Sequence, residues 1–262
     1  LFTPRQLTAL TTFSDLVAEA REQVYADALA AGLPDDDTPL RDGGRGARAY
    51  AEAVSVYLAF AIDRSADYRS TIATPGDGFI RNTFARQAIP MTWDYAEANP
   101  FSDSTGNWLG AIDWIGRVLD KLTPVVAGRA IQQDATKLYG EDAIPISTDP
   151  PYYDNIGYAD LSDYFYLWMR SSLKSVYPEV FATLLVPKTP ELIASPYRFE
   201  GNTDAANKHF EIGLLQAFSQ MRQIIPSEYP LSVYYAFKQE EVVLGEGVAS
   251  TGWETMLSGL IS

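Results

Sequence analysis

The chain has 262 residues, 47% of them hydrophobic and 13% aromatic, enough apolar material for one large domain or two small ones around a sizeable core. A formal charge of −14 argues against a uniformly basic surface, so a polyanionic partner must meet a local cluster of the 20 basic residues or another segment. Zero cysteines exclude disulfides, thiolate metal sites and a cysteine nucleophile, and they fit a cytoplasmic protein.

The N-terminus reads as a helix. Thr3 suits the N-cap, Pro4 the first helical position and Gly32 the stop. Leu7, Leu10, Phe13, Leu16 and Val17 keep helical spacing. After the polar loop LPDDDTPLRDGGRG, a second helix is predicted over residues 47–68, apolar on most sides and therefore buried. Its longest apolar run, 53–62, is interrupted by Ser55 and is shorter than the roughly 20 residues a bilayer crossing needs. Residues 1–72 thus read as a helical hairpin and 73–106 as an irregular connection rich in turn signals such as Pro75-Gly76.

From 107 to 262 the pattern changes. A helix is predicted over 107–122, strands over 125–133, 143–148 and 231–237, helices over 161–176 and 204–224, and the start of another helix over 253–261. Alternating strands and helices imply an α/β arrangement, a parallel sheet with helices on its faces. The chain starts at Leu1 without a signal pattern and stops where a further strand is expected, so it reads as a segment of a longer polypeptide.

The chemistry concentrates at Asp149, Pro150, Pro151 and Tyr152, directly after the strand AIPIST. In α/β sheets, ligands bind beyond the carboxyl ends of the strands. An exocyclic amine on a base is a poor nucleophile because its lone pair is delocalised into the ring. A carboxylate and a backbone carbonyl accepting its two N–H hydrogens draw the nitrogen towards tetrahedral geometry and free the lone pair. Asp149 supplies the carboxylate. Pro150 and Pro151 fix φ, carry no N–H and leave carbonyls on offer. Tyr152 presents a flat face for an extruded base. The alternative is a plain proline turn that ends a strand.

The run STDPPYYDNIGYADLSDYFYLWMR resembles the catalytic motif of the prokaryotic adenine-specific DNA methylases whose full-length members contain a zinc ribbon. FTPRQL, GARAYAEAVSVYLAFAIDR, RQAIPMTWDYAEANPFSDSTGNW, YYAFKQEE and STGWETMLSGLI are similar to the same family, so the likeness touches most of the chain. The resemblance implies a Rossmann-like fold and methyl transfer from S-adenosylmethionine to adenine N6 in DNA. It implies catalytic roles for Asp149, Pro150, Pro151 and Tyr152, and a cofactor contact for Asp134, expected at the end of the strand before. Two family parts are absent from the sequence. There are no zinc-ribbon cysteines and no loop of the type Asp-Pro-Phe-x-Gly-x-Gly, which the family places upstream. The nearest relative of that loop, NPFSDSTG at 99–106, has Asp103 and Thr105 where glycines belong, and a backbone without glycine cannot approach a ligand as closely.

Two rival functions stay open: an RNA or cytosine-N4 amino-methyltransferase, and a non-catalytic segment that binds nucleic acid or a partner. His209, the only histidine, has no companion at ligand spacing and reads as structural. The aromatic series Tyr158, Tyr164, Phe165, Tyr166 and Trp168 reads as core and pocket wall. Lys238 follows a strand and reads as solvated, and Arg45, Arg48, Arg81 and Arg86 form the expected basic patch.

Overall fold

The computed structural model describes residues 1–86, 88–126, 128–137, 144–153, 156–235, 256–258 and 260–261. Helix α1 (Pro4–Ala30) begins with a capping box: Gln6 N–H donates to Thr3 Oγ1 at 3.3 Å, and Thr3 N–H donates to Gln6 Oε1 at 2.8 Å. These reciprocal bonds satisfy amides that the first helical turn leaves open. Helix α2 (Ala47–Asp67) buries ten residues, six of them alanine and two serine. Such small side chains let α1 and α2 pack closely along their length. Helix α3 (Trp108–Lys121) is capped by Asn107, whose Oδ1 accepts from Gly110 N–H at 2.6 Å.

Helices α4 (Tyr158–Leu173) and α5 (Thr203–Ile224) follow, α5 being capped by Asn202. The strands are short. Strands β1 (Thr74–Pro75) and β2 (Ile80–Arg81) form an antiparallel hairpin in the stretch expected to be irregular. Strands β3 (Ser147–Thr148) and β4 (Ser232–Val233) pair in parallel, Ser147 opposite Ser232 and Thr148 opposite Val233.

The chain divides into two compact units. The first gathers Leu1–Ala127 and Ala159–Pro187. Its core joins Leu10 and Val17 of α1, Ile62 and Ala66 of α2, and Tyr164 and Trp168 of α4. Phe2 meets Trp168 edge-on at 5.4 Å, and Phe13 stacks on Trp108 at 4.3 Å. Of the aromatic series, Tyr164 and Trp168 are buried core, Phe165 and Tyr166 are partly buried and Tyr158 is exposed; the Tyr164 hydroxyl donates to the Ala66 carbonyl at 2.7 Å. A second cluster sets Ala59 of α2 against Leu173, Val176 and Phe181.

The second unit gathers Gly128–Tyr158 and Lys188–Ser262. Phe210, Leu214, Phe218 and Met221 recur at helical spacing along α5 and form one apolar stripe. Ile146, Tyr153, Leu192, Val233 and Met256 pack against that stripe. Residues 256–258 and 260–261 are helical, within the helix expected at 253–261.

The strand expected over 125–133 is not formed among its described residues. Its described residues have no regular backbone structure, and Val125 is 98% exposed. Apolar β-branched residues do not make a strand without a neighbour to accept its ladder, and none pairs here among the described residues. The strands expected over 143–148 and 231–237 survive as one residue pair each, 147–148 at the end of the first and 232–233 near the start of the second, with residues 143 and 236–237 outside the described set.

Candidate active site

Asp149 leaves the carboxyl end of β3 and is exposed, while Pro150 behind it is buried and Pro151 is exposed. The prolines stop the strand, since neither can donate to a ladder. Up to that point pairing is intact: Ser232 N–H donates to the Ile146 carbonyl at 3.1 Å and Tyr234 N–H to the Thr148 carbonyl at 2.8 Å. The last paired register therefore lies immediately before Asp149, and β4 runs alongside in the same direction. That places Tyr234 and Tyr235 at the same strand ends as the acidic loop.

Tyr152 turns its hydroxyl onto Asp149, donating to Oδ1 at 3.0 Å. This bond stabilises the protonated phenol, so Tyr152 titrates above the ordinary tyrosine range, the hydrogen bond being the leading cause. The Tyr152 ring meets Tyr235 edge-on, with centroids 5.4 Å apart and planes at 86°. Tyr153 anchors the loop from the other side. Its ring packs edge-on against Phe210 at 5.2 Å, and its carbonyl accepts from Ala194 N–H at 2.9 Å. The loop is thus held to α5 by one tyrosine and to the neighbouring strand end by the other, and a carboxylate stands open to solvent between them. Tyr234, 66% exposed, extends the aromatic surface.

Tyr235 carries no functional signal of its own in the sequence. The alternation LSVYYAF signals a strand but not which strand it joins, and only the parallel β3–β4 pairing brings Tyr235 to Tyr152.

Asp134 stands elsewhere in the second unit. It does not end a strand. Its Oδ1 accepts from Thr136 N–H at 2.9 Å and Thr136 Oγ1 at 2.7 Å, starting a short 3₁₀ turn (Ala135–Lys137), and Oδ2 pairs with Lys137 at 3.6 Å. The bonds from Thr136 hold its carboxyl below the usual carboxylate range. Asp134 borders a cavity of about 400 Å³ against α5, shared with Pro190, Leu192, Lys208, His209 and Ile212. None of residues 149–152 lines that cavity. His209 Nε2 lies 3.1 Å from the Glu191 carbonyl, a structural contact that makes this nitrogen the donor.

The NPFSDSTG segment belongs to the first unit, where it leads into the N-cap of α3. Of its residues only Gly106 adopts positive φ (+83°), and a Cβ there would lie 2.9 Å from Ala98 Cβ and 3.0 Å from Tyr68 Cβ. The expected basic patch is weakened by pairing: Arg48 bonds Glu52 at 3.1 Å and the Asp37 carbonyl at 2.7 Å, while Arg45, Arg81 and Arg86 are exposed. Lys238 lies outside the described residues. Among the described residues no group of three or more His, Cys, Asp or Glu side chains could hold a metal ion, and no helix is long and apolar enough to cross a membrane.

No protein-family model matches the chain, nor does any curated protein or solved structure.

Proposed function

We propose that the chain is the catalytic segment of an S-adenosylmethionine-dependent DNA adenine-N6 methyltransferase, an α/β segment of the Rossmann-like type. One observation carries the reading: an Asp-Pro-Pro-Tyr loop leaves the carboxyl end of a strand in a parallel pair, with its carboxylate exposed and an aromatic surface beside it. That is where α/β sheets present ligands.

The residues do chemically definite work. Tyr152 occupies Asp149 Oδ1, which leaves Oδ2 to accept one N–H of an extruded base's amino group. A proline carbonyl of the same loop accepts the other. With both hydrogens engaged, the nitrogen lone pair is released from the ring. S-adenosylmethionine supplies an electrophilic methyl on a sulfonium. Asp149 Oδ2 would take up the proton that the methylated nitrogen sheds and pass it to water. Tyr152, Tyr234 and Tyr235 offer ring faces for the base, each stack contributing about 1–3 kcal/mol.

The residues present suit the nucleoside end of that cofactor. The cavity beside Asp134 combines a carboxylate with apolar walls from Pro190, Leu192 and Ile212, and its volume of about 400 Å³ falls in the range of small-molecule sites. For the methionine end the chain has no Asp-Pro-Phe-x-Gly-x-Gly loop, and we assign that part to another segment of the same polypeptide.

The test is tritiated methyl incorporation into DNA by the full-length protein. Asp149→Ala should reduce it by more than the roughly 100- to 1000-fold that loss of a single preorganised contact costs, because Asp149 both orients and activates the amine. Thermal unfolding should be unchanged, since the carboxylate is exposed. Full activity in a folded Asp149→Ala protein would end the reading.

A further inference from the structure

The first unit holds a cavity of about 330 Å³ between α2 and the start of α3, bordered by Arg64, Ser65, Tyr68, the loop over 103–107, and Trp114. It is rich in unspent hydrogen-bond donors. Arg64 lies with its guanidinium carbon 4.7 Å from the Trp114 ring centroid and 5.9 Å from that of Tyr68, and it makes no ion pair among the described residues. Aromatic faces hold a guanidinium in place without neutralising it, and leave its N–H edge available. Ser65, only 2% exposed, lines the same cavity, and its Oγ has no hydrogen-bond partner. Thr105 adds a hydroxyl from the loop, whereas the Ser104 hydroxyl is taken by Ser102 Oγ at 2.9 Å.

A second cation stands behind the loop. Arg69 is 1% exposed and donates through one terminal nitrogen to the Gly106 carbonyl at 2.7 Å, while Nε and the other terminal nitrogen have no partner. Burial lowers its pKa to about 10, so it stays charged at neutral pH. Asp63, next to Arg64 in sequence, is pushed by burial to about 8 and brings no counter-charge at neutral pH. The exposed carboxylate of Asp103 is the one acidic group on the cavity wall. In a chain of net charge −14, two arginines without acidic partners thus converge on one loop. The end of α3 contributes little: Trp108 N–H is taken by the Pro100 carbonyl and Gly110 N–H by Asn107.

We propose that this cavity recognises a phosphate group, gripped by the Arg64 guanidinium edge and the hydroxyls of Ser65 and Thr105. A guanidinium matches two phosphate oxygens, and the hydroxyls serve the rest. The volume exceeds that of phosphate alone and admits a nucleotide-sized molecule, or a backbone phosphate with its sugar. The proposal is independent of Asp149 and of methyl transfer.

The experiment is isothermal titration of the full-length protein with inorganic phosphate, adenosine 5′-monophosphate and a short DNA duplex, each repeated with Arg64→Gln. Arg64 is partly exposed, so the variant should unfold at the wild-type temperature. Loss of a charge-assisted contact should weaken binding about ten- to a hundredfold. Binding of the mononucleotide without the duplex identifies a small phosphorylated ligand, and the converse identifies a nucleic-acid backbone. Thr105→Val supplies a second reading on the loop itself and should weaken the same ligand several-fold, also if Arg64→Gln fails to fold. Absence of binding by all three probes, or binding unchanged in both variants, overturns the proposal. Asp149→Ala should leave this binding intact, which separates its outcome from that of the catalytic reading.

Discussion

Asp63 carries a stability prediction whose sign and size both follow from its position on α2. Its Oδ1 is buried and has no hydrogen-bond partner, and burial pushes the carboxyl from its ordinary 3.8 up to about 8. Between those values the folded chain keeps a proton that the unfolded chain releases. Stability is therefore present in full below about pH 4 and is lost as pH rises through about 8. A difference of about four units, at 1.36 kcal/mol each, sets the whole effect on the order of 5 kcal/mol. Asp63 keeps some solvent contact, so that figure is an upper bound. Asp63→Asn keeps the shape and removes the titration. Chemical denaturation followed by tryptophan fluorescence reads mainly the first unit, because Trp93, Trp108, Trp114 and Trp168 belong to it and Trp253 alone to the second. From about pH 5 to pH 8 the wild type should lose up to about 4 kcal/mol relative to the variant. Parallel curves, within about 0.5 kcal/mol across that range, would refute the assignment of a neutral buried carboxyl.

At the candidate active site, Tyr152→Phe retains the ring that meets Tyr235 and deletes the bond to Asp149 Oδ1. Methyl transfer should fall about three- to tenfold through looser orientation of the carboxylate, a smaller loss than in Asp149→Ala, and an unchanged rate would show that the bond is incidental. In the second unit, Phe210 of the α5 stripe is fully buried against Tyr153, so Phe210→Ala should destabilise by about 3–5 kcal/mol in denaturant. Activity should fall with the folded fraction, because the same ring supports the loop that carries Asp149.

Much that depends on neighbours in sequence is legible from sequence, though the short β1–β2 hairpin is not. Thr3 and Gln6 form a capping box around Pro4 at the first helical position, and Asn107 caps α3 three residues before Gly110. The α5 stripe repeats at helical spacing, and Pro150 and Pro151 end β3 because neither has an N–H to donate. Even the Tyr152–Asp149 bond spans only three residues. Tertiary structure decided the rest, because a strand or a buried charge is defined by partners that local pattern does not name. Residues 125–133 have strand composition, yet no ladder receives them. Tyr235 reaches Tyr152 only because two short strands, 85 residues apart in sequence, choose each other in parallel. Residues 159–187 join a unit otherwise built from the first half of the chain, since Tyr164 and Trp168 complete a core begun by Leu10 and Ile62. Arg48 reads as free basic surface until Glu52 and the Asp37 carbonyl are seen to hold it, while Arg64 reads as an ordinary helix cation until Trp114 is found beneath it. Charges act through space, and only the fold sets the distances.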